Sequence, residues 1–344
     1  MDPLPRTAGS PPRRPLPAAW RVAFWLTAGT ALFVLLLGWS HPHSVAVAEE
    51  ELGRRLLHLG ARRQPDYLLT LAVVLAVEAC ALGWARSSVA RLLRTSRTAR
   101  ADLLMAAFHT LGWAPLVMTF FSAGWIWGIE RIAQRYSSLH LVSRVGPAWA
   151  QFLIVLAATD LFDYWTHRLS HDIDFLWETH KYHHAATEFT ILTGTRAHAL
   201  NDAFQHLVAA IPLAALGASI QHYVGARIVI YVIQLLQHSM LPWTYGWVGR
   251  WVVYSPVGHR IHHSPRADQH TTNYGNALVV WDRLFGTWYG GEEVNKTIGL
   301  PHNPYNRRGV VVEYLHTAGR AARRLRISLR TGRWRTGPGT AARG

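Results

Sequence analysis

The sequence predicts an all-α fold: a multi-pass helical bundle of about six membrane spans, with a histidine-rich helical cap on one face. Three observations predict it. The apolar half of the composition, 50% of 344 residues, is gathered into long blocks, and ~20 residues of helix cross a ~30 Å hydrocarbon layer. The basic residues flank those blocks. Thirteen of the 20 histidines fall between 167 and 270, at spacings that place them on helical faces.

The apolar blocks run 20–39 (WRVAFWLTAGTALFVLLLGW), 67–85, 102–128, 147–165, 203–220 and 222–240. The third is longer than one span and is interrupted by Gly112, Pro115 and Gly124. A helical hairpin or a re-entrant segment is therefore open there. Residues 1–19 are rich in Pro and Arg and are expected to be disordered. The first block followed by SVAVAEE also leaves open a signal peptide cleaved after Ala48, although its apolar core of about 17 residues exceeds the usual range.

The net charge is +15, from 35 basic and 20 acidic residues. In a soluble protein that would suggest nucleic acid. The positions exclude it: Arg6, Arg13 and Arg14 precede the first block, and Arg86, Arg91, Arg94, Arg97 and Arg100 separate the second from the third. Cationic loops beside spans belong on the cytoplasmic side, so the N-terminus is placed inside. Six crossings then bring 166–202, and everything after 240, to the same cytoplasmic face. From 306 onward ten Arg stand against the single carboxylate Glu313. This reads as a solvated cationic tail touching anionic headgroups, with partner docking as the alternative. The lone cysteine, Cys80, leaves no intrachain disulfide and no thiolate metal site.

Three histidine clusters carry the chemistry. His167 and His171 are four apart, as on a helix continuing from the fourth block. His180, His183 and His184 stand at i, i+3 and i+4, and His259, His262 and His263 repeat that pattern. Neutral imidazole is the commonest side-chain metal ligand, and nitrogen donors suit iron, zinc, copper and nickel better than magnesium or calcium. Eight imidazoles exceed what one centre uses, so two metal ions are expected. Asp163, one turn before His167, and Glu178, just before His180, are candidates to orient ligand rings. Asp172, Asp174 and Glu188 lie nearby, and helix-end or surface roles are the alternative. Glu78, His109, His206 and His222 fall in or beside apolar blocks, where an ionisable group is a functional suspect. There is no HExxH, GxSxG, GxxxxGK or CxxCH, and the one ExxH, Glu313 to His316, lies in the basic tail.

The boxes HRLSH, LWETHKYHH and HRIHHSP, with the closing TTNYGNALVVWDRLFGT, closely resemble the fatty acid hydroxylase superfamily, which includes the sterol desaturases. The resemblance covers roughly 147–300, making this the catalytic region between an N-terminal membrane region (20–146) and an Arg-rich cytoplasmic tail (301–344). It implies a membrane oxidoreductase with two iron ions at a histidine-ligated centre on the cytoplasmic face. Such enzymes use O2 and externally supplied electrons to hydroxylate or desaturate a fatty acyl, sterol or other alkyl lipid. By position the ligands would be His167, His171, His180, His183, His184, His259, His262 and His263. His238 in LLQHSM matches the family's additional histidine, with Met240 where Asn is common. His198 in TRAHAL sits where the family tends to place a histidine, but Ala199 replaces the usual Pro. His198 and Asn273 join Asp163 and Glu178 as metal-binding or ligand-supporting candidates, with His270 a weaker one. Asp282 and Arg283 read as structural. Trp281, Phe285 and Trp288 read as packing or interfacial anchors.

No flavin, nicotinamide or haem fingerprint is visible, so electrons are expected from a separate ferredoxin or cytochrome b5-type carrier with its reductase. A cationic cytoplasmic surface would steer an acidic carrier. Two rivals stand beside the oxidase: a histidine-rich zinc transporter and a metal-dependent hydrolase. Transport sites usually lie near the bilayer midplane, whereas these boxes flank the spans.

Overall fold

A computed structural model describes residues 64–110, 142–205, 208, 217–266, 268–291 and 297–334. The first predicted span, most of the third and fifth, and His206 lie outside these residues. The described residues are helical, with no strand. One isolated antiparallel bridge joins Val253 to Leu278.

The order is α1 (Gln64–Leu82), α2 (Ser88–Arg94), α3 (Arg97–Thr110), α4 (Ala148–Asp172), α5 (Asp174–His184), α6 (Ile220–Gln237), α7 (Gly246–Trp251), α8 (Pro256–His262), α9 (Val280–Leu284) and α10 (Val310–Thr331). The predicted spans at 67–85, 147–165 and 222–240 correspond to α1, α4 and α6. Among the described residues no helix is long and apolar enough to cross a membrane. In α4 the reason is visible: the apolar run at its start gives way to Asp160, Asp163 and Arg168.

Helix boundaries follow local chemistry. Ser219 caps α6 by accepting from the His222 amide, and Ser255 caps α8 by accepting from Gly258, with Pro256 in its first turn. Between α4 and α5 the chain breaks at one residue, Ile173, whose extended backbone (φ −107°, ψ 122°) ends one helix and starts the next. Asp174 then occupies the first turn of α5, where a carboxylate complements the helix dipole. This break folds the second histidine box back onto the first.

Helix α4 packs against both α5 and α6, and α10 lies along α5. Small apolar clusters join the layers: Val155 and Ala226 between α4 and α6, Val74 and Leu235 between α1 and α6. The Arg-rich segment predicted as a solvated tail instead forms α10. It is held to α5 by Arg320 on Glu178 (3.2 Å) and Arg324 on Asp174 (3.9 Å), and by a core around Tyr182 and Tyr305. Two of its arginines are met by carboxylates on α5, of which linear reading held Glu178 as a candidate to orient a ligand ring.

Candidate metal centre

The structure gathers nine histidines into two buried groups. His167, His171, His180, His184 and His262 form one; His183, His238, His259 and His263 form the other. Helix geometry explains the division. His180 and His184 share a face of α5, while His183 is rotated about 100° from His184 and points to the second group. In the third box His262 goes to the first group, and His259 and His263 to the second. Each HH doublet therefore bridges the two groups, and His184 stacks on His263 with ring centroids 4.2 Å apart.

Several rings are oriented by hydrogen bonds that fix the tautomer. Nδ1–H of His167 donates to the Tyr274 carbonyl (2.8 Å), that of His262 to Thr272 (2.7 Å), and that of His238 to Gln234 (2.8 Å). His180 Nδ1 donates to Asn201 Oδ1 (3.2 Å). In each ring this leaves Nε2 as a lone pair facing inward. Nε2 of His167, His180, His184 and His262 is buried without a partner, as are both ring nitrogens of His171.

In the second group the Nε2 atoms crowd one another: His183 to His238 3.3 Å, His259 to His238 3.1 Å, and His263 to His259 3.2 Å. Hydrogen bonds alone do not account for this, because the single His238 lone pair can take only one donor and two rings approach it. A shared ion does account for it. Nitrogens ~2.1 Å from a metal stand about 3.0 Å apart at right angles and about 3.4 Å apart at the tetrahedral angle. The observed separations fall in that interval, so these residues fit a metal.

Burial also sets the charge state. It pushes His167 down to about 4 and the other seven box histidines well below their ordinary value, and the charge on neighbouring imidazoles adds to the effect for most of them. All eight are therefore neutral near pH 7, the form that binds metal.

A clamp closes over the first group. Asn273, at φ 57°, a conformation Asn tolerates, turns the chain so that the carbonyls on either side of it reach His262 and His167. Its side chain donates to Gly258 O (3.1 Å) in α8 and accepts from Tyr289 N (2.8 Å). Asp282 anchors the same loop, accepting from Tyr274 N (2.8 Å), Gly275 N (2.7 Å), Tyr254 Oη (2.7 Å) and Thr287 Oγ1 (2.6 Å). Gly275 has no room for a side chain, since a Cβ there would strike the Tyr254 ring and stand 2.6 Å from Leu278 O. Asp160 holds the next turn through Ala277 N, Leu278 N and Trp281 Nε1.

The remaining predicted residues stand elsewhere. Asp163 pairs with Arg227 (2.7 Å), and Glu178 pairs with Lys181 (2.8 Å) and Arg320; neither holds a ligand ring. Each is nearer a cation, which satisfies a buried carboxylate better than a neutral imidazole does. His198 lies outside both groups. It accepts from Leu200 N at Nδ1, donates to Tyr314 O (3.1 Å) and stacks on the Tyr314 ring. His270 donates to Arg266 O, and His109 lies 3.6 Å from Asp202. Glu78 is buried, accepting from Ser88 N (2.6 Å) and Met240 N (3.4 Å). Trp281 binds Asp160, Phe285 stacks on Tyr164, and Trp288 lies beside Arg283. Linear reading missed Asn201 and Asp160: Asn201 is 21 residues from His180, and Asp160 is more than 100 from the loop it holds, with no local pattern marking either.

Known proteins resemble this region of the chain. The sequence model of the fatty acid hydroxylase family matches residues 152–287. An ornithine lipid hydroxylase of Rhizobium tropici is 31% identical over 155 residues, which is 45% of this chain and 46% of that protein. Alkylglycerol monooxygenases of Xenopus tropicalis and Danio rerio are 28% and 30% identical over 159 and 156 residues, covering 45% of this chain and 33% and 34% of theirs. The chain thus spans less than half the length of these relatives. No solved structure matches.

Proposed function

From the premise that residues 152–287 belong to the fatty acid hydroxylase superfamily, we propose that the protein is an O2-dependent, membrane-embedded lipid oxidoreductase with two irons at its histidine centre. The observation that carries this reading is the pair of adjacent, carboxylate-free histidine groups with inward lone pairs. Imidazole donors suit iron, and two contiguous sites suit a reaction that needs both O2 and electrons. Hydroxylation balances as one C–H, one O2, two electrons and two protons giving one C–OH and one water. Desaturation removes two hydrogens and returns both oxygens as water.

His167, His171, His180, His184 and His262 would hold one iron, and His183, His238, His259 and His263 the other. Bound iron supplies the redox chemistry that an unactivated C–H bond requires. The chain does the rest. Neutral imidazoles present nitrogen lone pairs at pH 7 without first losing a proton. The carbonyls of Tyr274, Thr272 and Gln234 keep three rings from rotating. Burial of all nine rings excludes bulk water from the oxidant. With the site at the cytoplasmic face, the apolar spans would admit lipid laterally from the bilayer.

A ferredoxin or a cytochrome b5-type carrier would supply electrons, and the exposed Arg323, Arg326 and Arg330 of α10 suit an acidic one. Reversing these charges should slow reduction at low salt and flatten its salt dependence; an unchanged rate with every acidic donor removes the steering idea.

The test of the function is iron stoichiometry on detergent-purified protein, together with product analysis after lipid, O2 and donor are supplied. About two irons per chain, lost in the His183→Ala, His184→Ala variant, with gain of one oxygen or loss of two hydrogens, supports the oxidase. Persistent zinc, with no O2-dependent product after iron reconstitution, moves the assignment to the transporter or hydrolase.

A further inference from the structure

Two short helices, α7 and α9, lie side by side and form an apolar surface patch. The backbone joins them, because Val279 N donates to Val252 O (3.0 Å) and Tyr254 N to Ala277 O (2.8 Å), beside the Val253–Leu278 bridge. Side chains join them too: the Arg283 guanidinium lies 3.6 Å from the centre of the Trp251 ring, and its Nε donates to Arg250 O (2.6 Å). On this surface Trp247 is 70% exposed, Trp251 59%, Leu284 59% and Val280 43%. Two adjacent tryptophans left in water, with aliphatic side chains beside them, are unusual on a soluble surface and mark an interaction site.

The charges identify the partner. Arg250 and Arg283 border the patch, and the carboxylate of α9, Asp282, is fully buried and engaged by four donors. Tryptophan with aliphatic side chains and flanking arginine is the composition of a polypeptide lying at the headgroup level of a bilayer. The position in the chain agrees. α7 begins nine residues after the end of α6, whose sequence is that of a predicted span.

We infer that the α7–α9 face is a membrane-docking surface, with Trp247, Trp251, Val280 and Leu284 in the acyl boundary and Arg250 and Arg283 on anionic headgroups. The surface rests on the lipid-oxidase reading and deepens it. Asp282, on α9, holds the loop whose Tyr274 carbonyl orients His167. Docking therefore sets the outer side of that loop against the lipid.

The experiment uses the full chain carrying Cys80→Ser, with a nitroxide at Trp247→Cys or, separately, at Leu284→Cys, reconstituted in equimolar phosphatidylcholine and phosphatidylglycerol. Collisions with O2, which concentrates in lipid, and with a water-soluble nickel complex are read by power saturation. The expected result is an O2 to nickel ratio several-fold above that of an aqueous nitroxide at either site. It should fall when Arg250→Glu is added and when phosphatidylglycerol is omitted. Free access to nickel overturns the proposal. Poor access to both reagents also overturns it, indicating a protein partner or a second copy instead, and a ratio indifferent to Arg250→Glu and to lipid charge overturns the headgroup contact. Iron content measured on the same samples is independent of these ratios: a chain that binds no iron removes the functional reading, while the collisions still decide the surface.

Discussion

Asp282→Asn changes one oxygen to an amide and keeps the shape, yet it should loosen the metal centre. In the native chain Oδ1 accepts from Tyr274 N and Thr287 Oγ1, and Oδ2 accepts from Gly275 N and Tyr254 Oη. An amide nitrogen in place of Oδ2 meets the Gly275 N–H, donor against donor. The Tyr254 hydroxyl can rotate to accept, but the backbone N–H cannot. One orphaned buried N–H costs ~1–3 kcal/mol, and exchanging charge-assisted for neutral bonds removes about 1 kcal/mol from each survivor. The sum, on the order of 3–5 kcal/mol, is a sizeable share of the roughly 5–15 kcal/mol by which domains are stable. The loop bearing Tyr274 O then holds His167 less firmly, and losing such support typically lowers metal affinity about 10–100-fold. The assays are thermal melting of the metal-loaded chain and competition for metal against a chelator of known affinity. A variant that melts with the parent and keeps its metal equally well would refute the clamp.

Two further outcomes follow from the same geometry. Because His183 and His184 face different groups, His183→Ala and His184→Ala should each lose one bound metal and keep the other, by elemental analysis; loss of both in either variant contradicts two separable sites. His198 should affect stability and not metal. Burial holds it at about 4, below ~6.5 in the unfolded chain, so the unfolded state takes up the proton first as pH falls. The stability it contributes is present above pH 6.5 and lost between there and about pH 4, at most about 3 kcal/mol. His198→Gln should show a shallower loss of stability across that window with unchanged metal content, and a lower metal content would return His198 to the site.

The sequence by itself determined which residues gather. The spacings of three boxes named eight histidines and the family resemblance added His238, and the structure places those nine in two groups. Helical class was equally legible, because the apolar blocks have the length of helices and histidines three or four apart express the 3.6-residue period. Asn273 was legible only through its motif. How the doublets divide was not fully readable, since a linear pattern puts His183 and His184 on different sides of one helix but does not say which histidines each side meets once the break at Ile173 folds that helix back. Nor did it show that Asp163 and Glu178 would be taken by Arg227 and Arg320, or that a basic tail would fold as α10. The Asp163–Arg227 and Glu178–Arg320 pairs exist only once remote helices pack, and a buried carboxylate is better satisfied by a cation than by a neutral imidazole. The orientation of the His167 ring was likewise decided by tertiary structure: it rests on the Tyr274 carbonyl, about 100 residues beyond the first box, and a carbonyl leaves no mark on the sequence.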